Sequence, residues 1–500
     1  MSLARRVAYN TITQVAGKIA STVLGLFSLA LITRYLGPQG FGEYTTILTF
    51  LGFFAIFADF GITLITVQLI TEKKDQKNKI LNNLFALRLL SIIIFLSLAP
   101  LIAIFLPYSA SVKGGLIIAM GAFIFPALNQ VIIGLFQKKL CMEKNAISET
   151  IGKLTLLAGI LLGEKLSLGL NGILLATSIA AFISFALHYL FSLKHAFITL
   201  EWDFSLWKKI AIRFWPLAVA VILNLVYLRG DTLLLSLFKS AEDVGFYGAP
   251  YKIIDVLSTL PFMFAGLIMP MLSHYWIEKS SNNFKKVLQK SLDLMFIIAI
   301  PVIIGTQFVA VEIINIIAGS EYLVSNSILK ILIIAIIAIF PGTIFSHAVI
   351  AIDKQKKMIP FYIFTSATSL LAYLILIPKF SYYGAAAVTI YSELSIALFS
   401  AYCVYKYSGF KYSVNKLFKS IFSGAIMALF IIIFLKHYSI SLSEKSLGAI
   451  VNLALLTITS ASLYFISMIL IKGIDRNDLK LLLRKQNKSG GQSFRPGTDI

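Results

Sequence analysis

GAIMALFIIIFL, residues 424–435, contains no ionisable side chain, and neither does ILIIAIIAIF at 331–340 nor SIIIFLSLA at 91–99. Stretches near 20 apolar residues match a hydrocarbon layer of about 30 Å at 1.5 Å per helical residue. Inside lipid every backbone N–H and C=O must find its partner within the segment, so these blocks are read as transmembrane α-helices. A transmembrane β-barrel would show short alternating segments instead. The rest of the 500 residues agrees: 58% are hydrophobic, only 13% are charged, and the mean hydropathy is +0.86. A soluble protein of this length needs far more surface charge.

Fourteen candidate spans follow: 11–33, 43–70, 81–106, 114–136, 145–163, 170–193, 209–237, 244–270, 287–311, 325–351, 358–377, 384–405, 417–435 and 447–471. Arg5 and Arg6 before the first of them imitate a secretory signal. The apolar stretch is long enough to span and no small-residue cleavage site follows, so it is read as a retained first helix. Of the 44 Lys and Arg, thirty fall in one set of alternating connections, seven in the other and seven within spans. The positive-inside bias therefore places both termini in the cytoplasm of a cell (inner) membrane protein. The net charge of +21 is mostly this topology signal, because the cations alternate with spans, and nucleic acid is not an expected partner. No connection exceeds about twenty residues and no GxxxxGK[ST] loop occurs, so neither a soluble catalytic domain nor direct ATP use is expected. Cys141 and Cys403 are too few and too distant for a disulfide framework or a metal site. Beyond residue 472 the chain reads as a basic cytoplasmic tail, with a short amphipathic turn at Asp478–Lys485 as one option for it.

The chain repeats itself. FGEYT (41–45) opens the second span and VGFYG (244–248) the eighth, 203 residues later. NGILLAT (171–177) opens the sixth and YGAAAVT (383–389) the twelfth, 212 residues later. Six spans, an even number, separate each pair, so the halves are parallel repeats about an axis along the membrane normal. The expected architecture is an all-α polytopic membrane protein with six-helix bundles over 1–200 and 201–410. Two appended helices over 411–472 and a tail over 473–500 complete it.

Ionisable groups within spans are costly and mark candidate sites. At 1.5 Å per residue, Lys252 lies roughly 12 Å below the end of its span, with Asp255 one turn deeper and Glu393 at roughly 14 Å. Lys18 and Arg88 lie roughly 10 Å inside the opposite ends of the first and third spans. Lys18, Arg88, Lys252 and Arg229 are candidate partners for an anionic headgroup such as a pyrophosphate. Asp59, Asp255, Glu393 and Asp231 are candidate carriers of a coupling H⁺ or Na⁺. Competing structural readings stand beside these. Lys252 and Asp255, three apart, also read as a pair that neutralises itself, and Glu149 and Lys153, four apart, read as a helix-surface pair. Arg229 and Asp231 near one end, and Lys18 and Arg88 near the other, can snorkel to the interface. His188 and His347 read as packing residues, since no spacing suggests a metal.

TRYLGPQGFGEY (33–44) resembles the hallmark loop of Wzx-like polysaccharide-export flippases, of the multidrug/oligosaccharidyl-lipid/polysaccharide exporter superfamily. RGDTLLLSLFKSAEDVGFY (229–247) resembles that family's second signature, an Asp in span seven followed by Gly-x-Tyr opening span eight. The resemblance implies a V-shaped pair of bundles around a central cavity, working by alternating access. It implies a polyprenyl-pyrophosphate-linked oligosaccharide flipped from the inner to the outer leaflet, no cofactor beyond a coupling ion, and partners among membrane lipid, a glycan polymerase and glycosyltransferases. Only Asp231 and the glycine-tyrosine loops carry over as motif matches. A cation-coupled multidrug exporter and a lipid II flippase of the same superfamily remain open. A membrane glycosyltransferase or ligase is the remote alternative, because no outer connection is long enough to hold a catalytic loop.

Overall fold

A computed structural model describes residues 3–59, 66, 69, 77–437 and 447–474. Regular structure among them is entirely helical. In order the helices are α1 (Leu3–Phe57), α2 (Lys77–Ile104), α3 (Ala110–Ala119), α4 (Gly121–Lys139), α5 (Glu143–Lys165), α6 (Gly169–Ser192) and α7 (Phe204–Phe238). They continue with α8 (Ala241–Ile277), α9 (Ser281–Ile317), α10 (Leu323–Leu332), α11 (Ile336–Ala351), α12 (Ile359–Ser408), α13 (Asn415–His437) and α14 (Leu447–Leu470). Eleven helical stretches among the described residues are long and apolar enough to cross a membrane, where the sequence predicts fourteen spans. Part of the difference is continuity. α1 carries the first two expected spans as one rod, broken only at Gly37 (φ 64°) ahead of Pro38. α12 likewise joins the eleventh and twelfth across Ser381 (φ 48°). Glycine reaches positive φ without a Cβ clash and proline suits a helix's first turn, so Gly37-Pro38 restarts the helix with almost no loop. Positions 475–500, including the Asp478–Lys485 turn, lie outside the described residues, as do most of 60–76 and all of 438–446.

Contacts divide the chain into two units, Met1–Met295 with Thr306–Tyr412, and Phe296–Gly305 with Ser413–Ile500. In the second unit Gly424 faces Ile300 and Ile304, and Tyr464 donates to the Ile297 carbonyl at 3.0 Å. In the first unit α6 packs on α4 and α5, and α1 on α5. Separately, α12 packs on α7 and α11, and α11 on α8. α1 and α8 join these two sets. Where α6 gives way to α7, Asp203 caps α7 by accepting from the Leu206 amide (3.0 Å) and pairs with Lys79 (2.9 Å). The Lys79 ammonium, and then the capping amide, hold its carboxyl well below the usual carboxylate range.

The repeated motifs meet at the α1–α8 crossing. A Cβ on Gly42 would overlap the Ala241 carbonyl, and one on Gly245 the Pro38 carbonyl. Gly42 and Gly245 are the matched glycines of FGEYT and VGFYG, so each half supplies the gap that the other half's backbone fills. Two reciprocal bonds flank the crossing. Tyr322 donates to the Thr33 carbonyl at 3.3 Å, and Tyr108 and Ser236 share a hydrogen bond of 2.9 Å. Thr33 and Ser236 are again 203 residues apart. Arg34 adds a 2.6 Å bond to the Ile316 carbonyl at the end of α9.

Candidate functional site

Beneath this crossing lies a cavity of about 420 Å³. Lys18 and Ser21 of α1, Lys153 of α5, Thr177 of α6, and Lys252 and Asp255 of α8 line it. Two further cavities border it. One, of about 320 Å³, is enclosed by α1, α4, α5 and α6 and shares Lys18, Ser21, Lys153 and Thr177. The other, of about 270 Å³, lies among α7, α8, α11 and α12 and shares Asp255.

The cations differ in how they are matched. Arg229 Nη2 lies 3.2 Å from both carboxylate oxygens of Asp255, and Lys252 Nζ lies 3.5 Å from one of them. The Arg229 guanidinium also stacks 5.2 Å above the Tyr251 ring. Asp255 therefore sits between two cations, on the wall that separates the central cavity from the α7–α12 cavity. Lys18 and Lys153 have neither an ion pair nor a hydrogen bond among the described residues. Two ammonium groups held within a membrane span and facing a shared cavity make an anion-receptive surface.

Arg88 and Asp59 are placed elsewhere. They pair with each other at 2.7 Å, and Arg88 also donates to the carbonyls of Ala58 (3.1 Å) and Ala127 (3.2 Å). The Ala58 carbonyl follows the end of α1 and needs a donor, which a buried guanidinium supplies. Arg88 is 5% exposed and lines none of the three cavities, contrary to the expectation that it faces the space between the halves. A buried cation with a carboxylate and two carbonyls already in reach has no remaining call on a distant anion.

Asp231 is fully buried and accepts from the Tyr247 hydroxyl (2.7 Å), the Thr389 hydroxyl (3.2 Å) and the Thr232 amide. The snorkelling reading of Arg229 and Asp231 is thus replaced by two inward roles, one facing a cavity and one sealed. Tyr247 and Thr389 share a 3.1 Å bond. Their repeat partners, Tyr44 and Thr177, both line the central cavity, and Thr177 donates to the Ile173 carbonyl at 2.8 Å. The residues that the sequence aligned between the halves therefore lie together in each, and those of the second half share a hydrogen bond. Glu393 lines the α7–α12 cavity with His347, whose ring meets Phe262 edge-on. Glu393 has no hydrogen bond or ion pair among the described residues.

Sequence reasoning misplaced Glu149 and Lys153. They are not a helix-surface pair: both line the α1–α6 cavity, with no ion pair between them among the described residues. The signal was Gly152-x6-Gly159. A Cβ at either glycine would press on α6, at Ser184 and Ala176. That stripe marks the α6-facing side of α5, and Glu149 and Lys153 flank it. Glu149 accepts from Asn145 (3.2 Å), and Asn145 in turn meets His188 Nε2 at 3.0 Å. Among the described residues no group of three or more His, Cys, Asp or Glu is arranged to hold a metal ion.

The long apolar helices and the polar cavity among them define a multi-pass membrane protein of the transporter kind. Solved structures share its fold. The lipid II flippase MurJ in an inward closed conformation superposes with a TM-score of 0.74 over 92% of this chain and 99% of that one, at 17% identity. An inward-facing multidrug resistance MATE transporter of the MOP superfamily gives 0.64 over 80% and 98%, at 13% identity. Residues 7–276 match the model of the polysaccharide biosynthesis protein family, and the chain belongs to that family. It is 25% identical to a putative O-antigen transporter of Shigella flexneri, over 69% of this chain and 85% of the relative. It is 23% identical to the capsular polysaccharide biosynthesis protein CapF of Staphylococcus aureus, over 78% and 96%. The resemblance carried by the two glycine-tyrosine loops thus points to the family that the whole-chain comparisons return.

Proposed function

We propose that this chain is a flippase that moves polyprenyl-pyrophosphate-linked oligosaccharide from the cytoplasmic to the outer leaflet of the cell membrane, and that it transports rather than transforms its substrate. The observation that carries this reading is the convergence of Lys18, Lys153 and Lys252 on one 420 Å³ cavity inside the membrane-spanning helices. Three cations against the single carboxylate of Asp255 suit a pyrophosphate and disfavour a cationic drug. The family match and the O-antigen and capsule relatives support the same substrate class.

Both termini are cytoplasmic in this reading, which the distribution of Lys and Arg supports. The α1–α8 crossing with its Tyr322–Thr33 and Tyr108–Ser236 bonds is then the outer gate. The bundles over 1–200 and 201–410 rock about the cavity, with 411–472 appended. Glu393 is the best-placed carrier of the coupling H⁺ or Na⁺, because it faces a cavity while Asp59, Asp231 and Asp255 are already engaged. A glycan polymerase and glycosyltransferases are the natural partners upstream and downstream of such a step.

The test is flipping of fluorescent polyprenyl-pyrophosphoryl oligosaccharides by the purified chain in liposomes, with and without a pH or Na⁺ gradient. Transport that Glu393→Gln removes and Lys153→Ala sharply slows is the expected result. Equal transport of lipids lacking the pyrophosphate would overturn the reading.

A further inference from the structure

The α1–α6 cavity is more than an extension of the lysine surface. Its far wall is built from hydrogen-bonding groups: Asn129 and Gln130 of α4, the Glu149 carboxylate, Asn145's partner His188, and Ser184. Asn129 is 6% exposed, lines the cavity, and its Oδ1 has no hydrogen-bond partner. An amide that deep among apolar helices is costly to leave unsatisfied, and a half-turn of the group presents either its oxygen or its NH₂ to the space. Three residues before it stands Pro126, which also lines the cavity, as does Ala122. Proline has no N–H, so the Ala122 carbonyl loses the donor that an α-helix normally supplies four residues on. A buried amide oxygen without a partner, and a carbonyl deprived of its i+4 donor, thus belong to residues that line one cavity.

We propose that this cavity is a sugar subsite, and that it takes the glycan residue attached directly to the pyrophosphate, with Asn129 as its central contact. The inference rests on the flippase reading and adds to it the place and chemistry of sugar recognition. Sugar hydroxyls both donate and accept, which is what side-chain amides, a carboxylate and a serine hydroxyl can answer together. The first sugar is one glycosidic bond from the headgroup, so its site must open directly onto the lysines. The α1–α6 cavity does so through Lys18, Ser21, Lys153 and Thr177, whereas the α7–α12 cavity touches the centre only at Asp255, which two cations already hold. Its volume of about 320 Å³ suits a single ring rather than a chain, so the remainder of the glycan stays in the central cavity or beyond.

The experiment measures binding of three probes to the full-length purified chain: farnesyl pyrophosphate, farnesyl pyrophosphoryl-N-acetylglucosamine and farnesyl pyrophosphoryl-galactose. At least one sugar probe should bind about tenfold more tightly than farnesyl pyrophosphate, because a site built to hydrogen-bond hydroxyls discriminates strongly against their absence. Asn129→Leu should erase that gain and leave farnesyl pyrophosphate affinity unchanged. Gln130→Leu, at a half-buried neighbour, should reduce the gain and guards against a folding defect in the first variant. Lys153→Ala should weaken all three probes. The subsite is overturned if neither sugar adds affinity to the wild-type chain. It is equally overturned if the gain survives both α4 substitutions, or if Asn129→Leu weakens farnesyl pyrophosphate as much as the sugar probes. Failure of the flippase reading looks different: farnesyl pyrophosphate itself would not bind, or would bind regardless of Lys153.

Discussion

The halves of the chain agree where helices cross and differ where the interior is polar. Gly42 and Gly245, Tyr44 and Tyr247, Thr177 and Thr389, and Thr33 and Ser236 occupy matched positions, and the first and last of these pairs make matched contacts. The charged groups do not match. At the position 203 residues before the sealed Asp231 stands Ser28, also buried, which bonds only the Leu24 carbonyl. The α1–α6 side presents Lys18 and Lys153 with no ion pair among the described residues, although Glu149 lines the same cavity, while the α7–α12 side holds Arg229 and Lys252 on Asp255. Duplication thus preserved the backbone contacts that bring the halves together, where any side chain larger than hydrogen is excluded. The cavity walls carry no such steric constraint, and there the two halves present different charged groups.

The symmetric part can be broken first. Gly42→Ala and Gly245→Ala each place a methyl group inside the facing carbonyl. Each should cost about 3 kcal/mol or more and leave little folded protein in detergent thermal-melt assays, an overpacking effect at the upper end of its usual range. Two similar losses would show that the crossing is reciprocal, and an undisturbed Gly245→Ala protein would refute it.

The asymmetric part is tested by flux. Lys153→Ala removes a cation that has no ion pair among the described residues and should slow transport about 100-fold, equivalent to about 2.7 kcal/mol of lost stabilisation. Lys252→Ala should cost about tenfold, because Asp255 remains matched by Arg229. The double variant Lys252→Ala with Asp255→Ala should stay slow. Recovery to wild-type flux would mean that Lys252 serves only to neutralise Asp255.

A smaller difference should separate the two tyrosines. Tyr247→Phe takes a hydroxyl from the buried Asp231 carboxylate and should destabilise by about 2 kcal/mol, whereas Tyr44→Phe, at a hydroxyl with no carboxylate beside it, should cost less than about 1 kcal/mol. Equal losses in chemical-denaturation midpoints would indicate that Asp231 gains nothing from Tyr247.

The sequence alone determined the class of fold, the repeat and the family, because each depends on local regularities. Apolar length sets a membrane span, and FGEYT and VGFYG are short enough to be compared by eye. Depth along a helix was legible too, and Lys18 and Lys252, singled out by depth, both line the central cavity. Depth does not give azimuth. Arg88 lies as deep as Lys18 but points at Asp59 and the end of α1, and Lys153 looked superficial until Gly152 and Gly159 turned its side of α5 inward. Which neighbour neutralises a charge depends on helices far apart in the chain: α7 reaches Asp255 on α8, and α12 brings Thr389 to Asp231. Only the tertiary structure decides those pairings. A buried charge takes the partner that packing places within about 3 Å, and nothing in the linear order of residues records that distance.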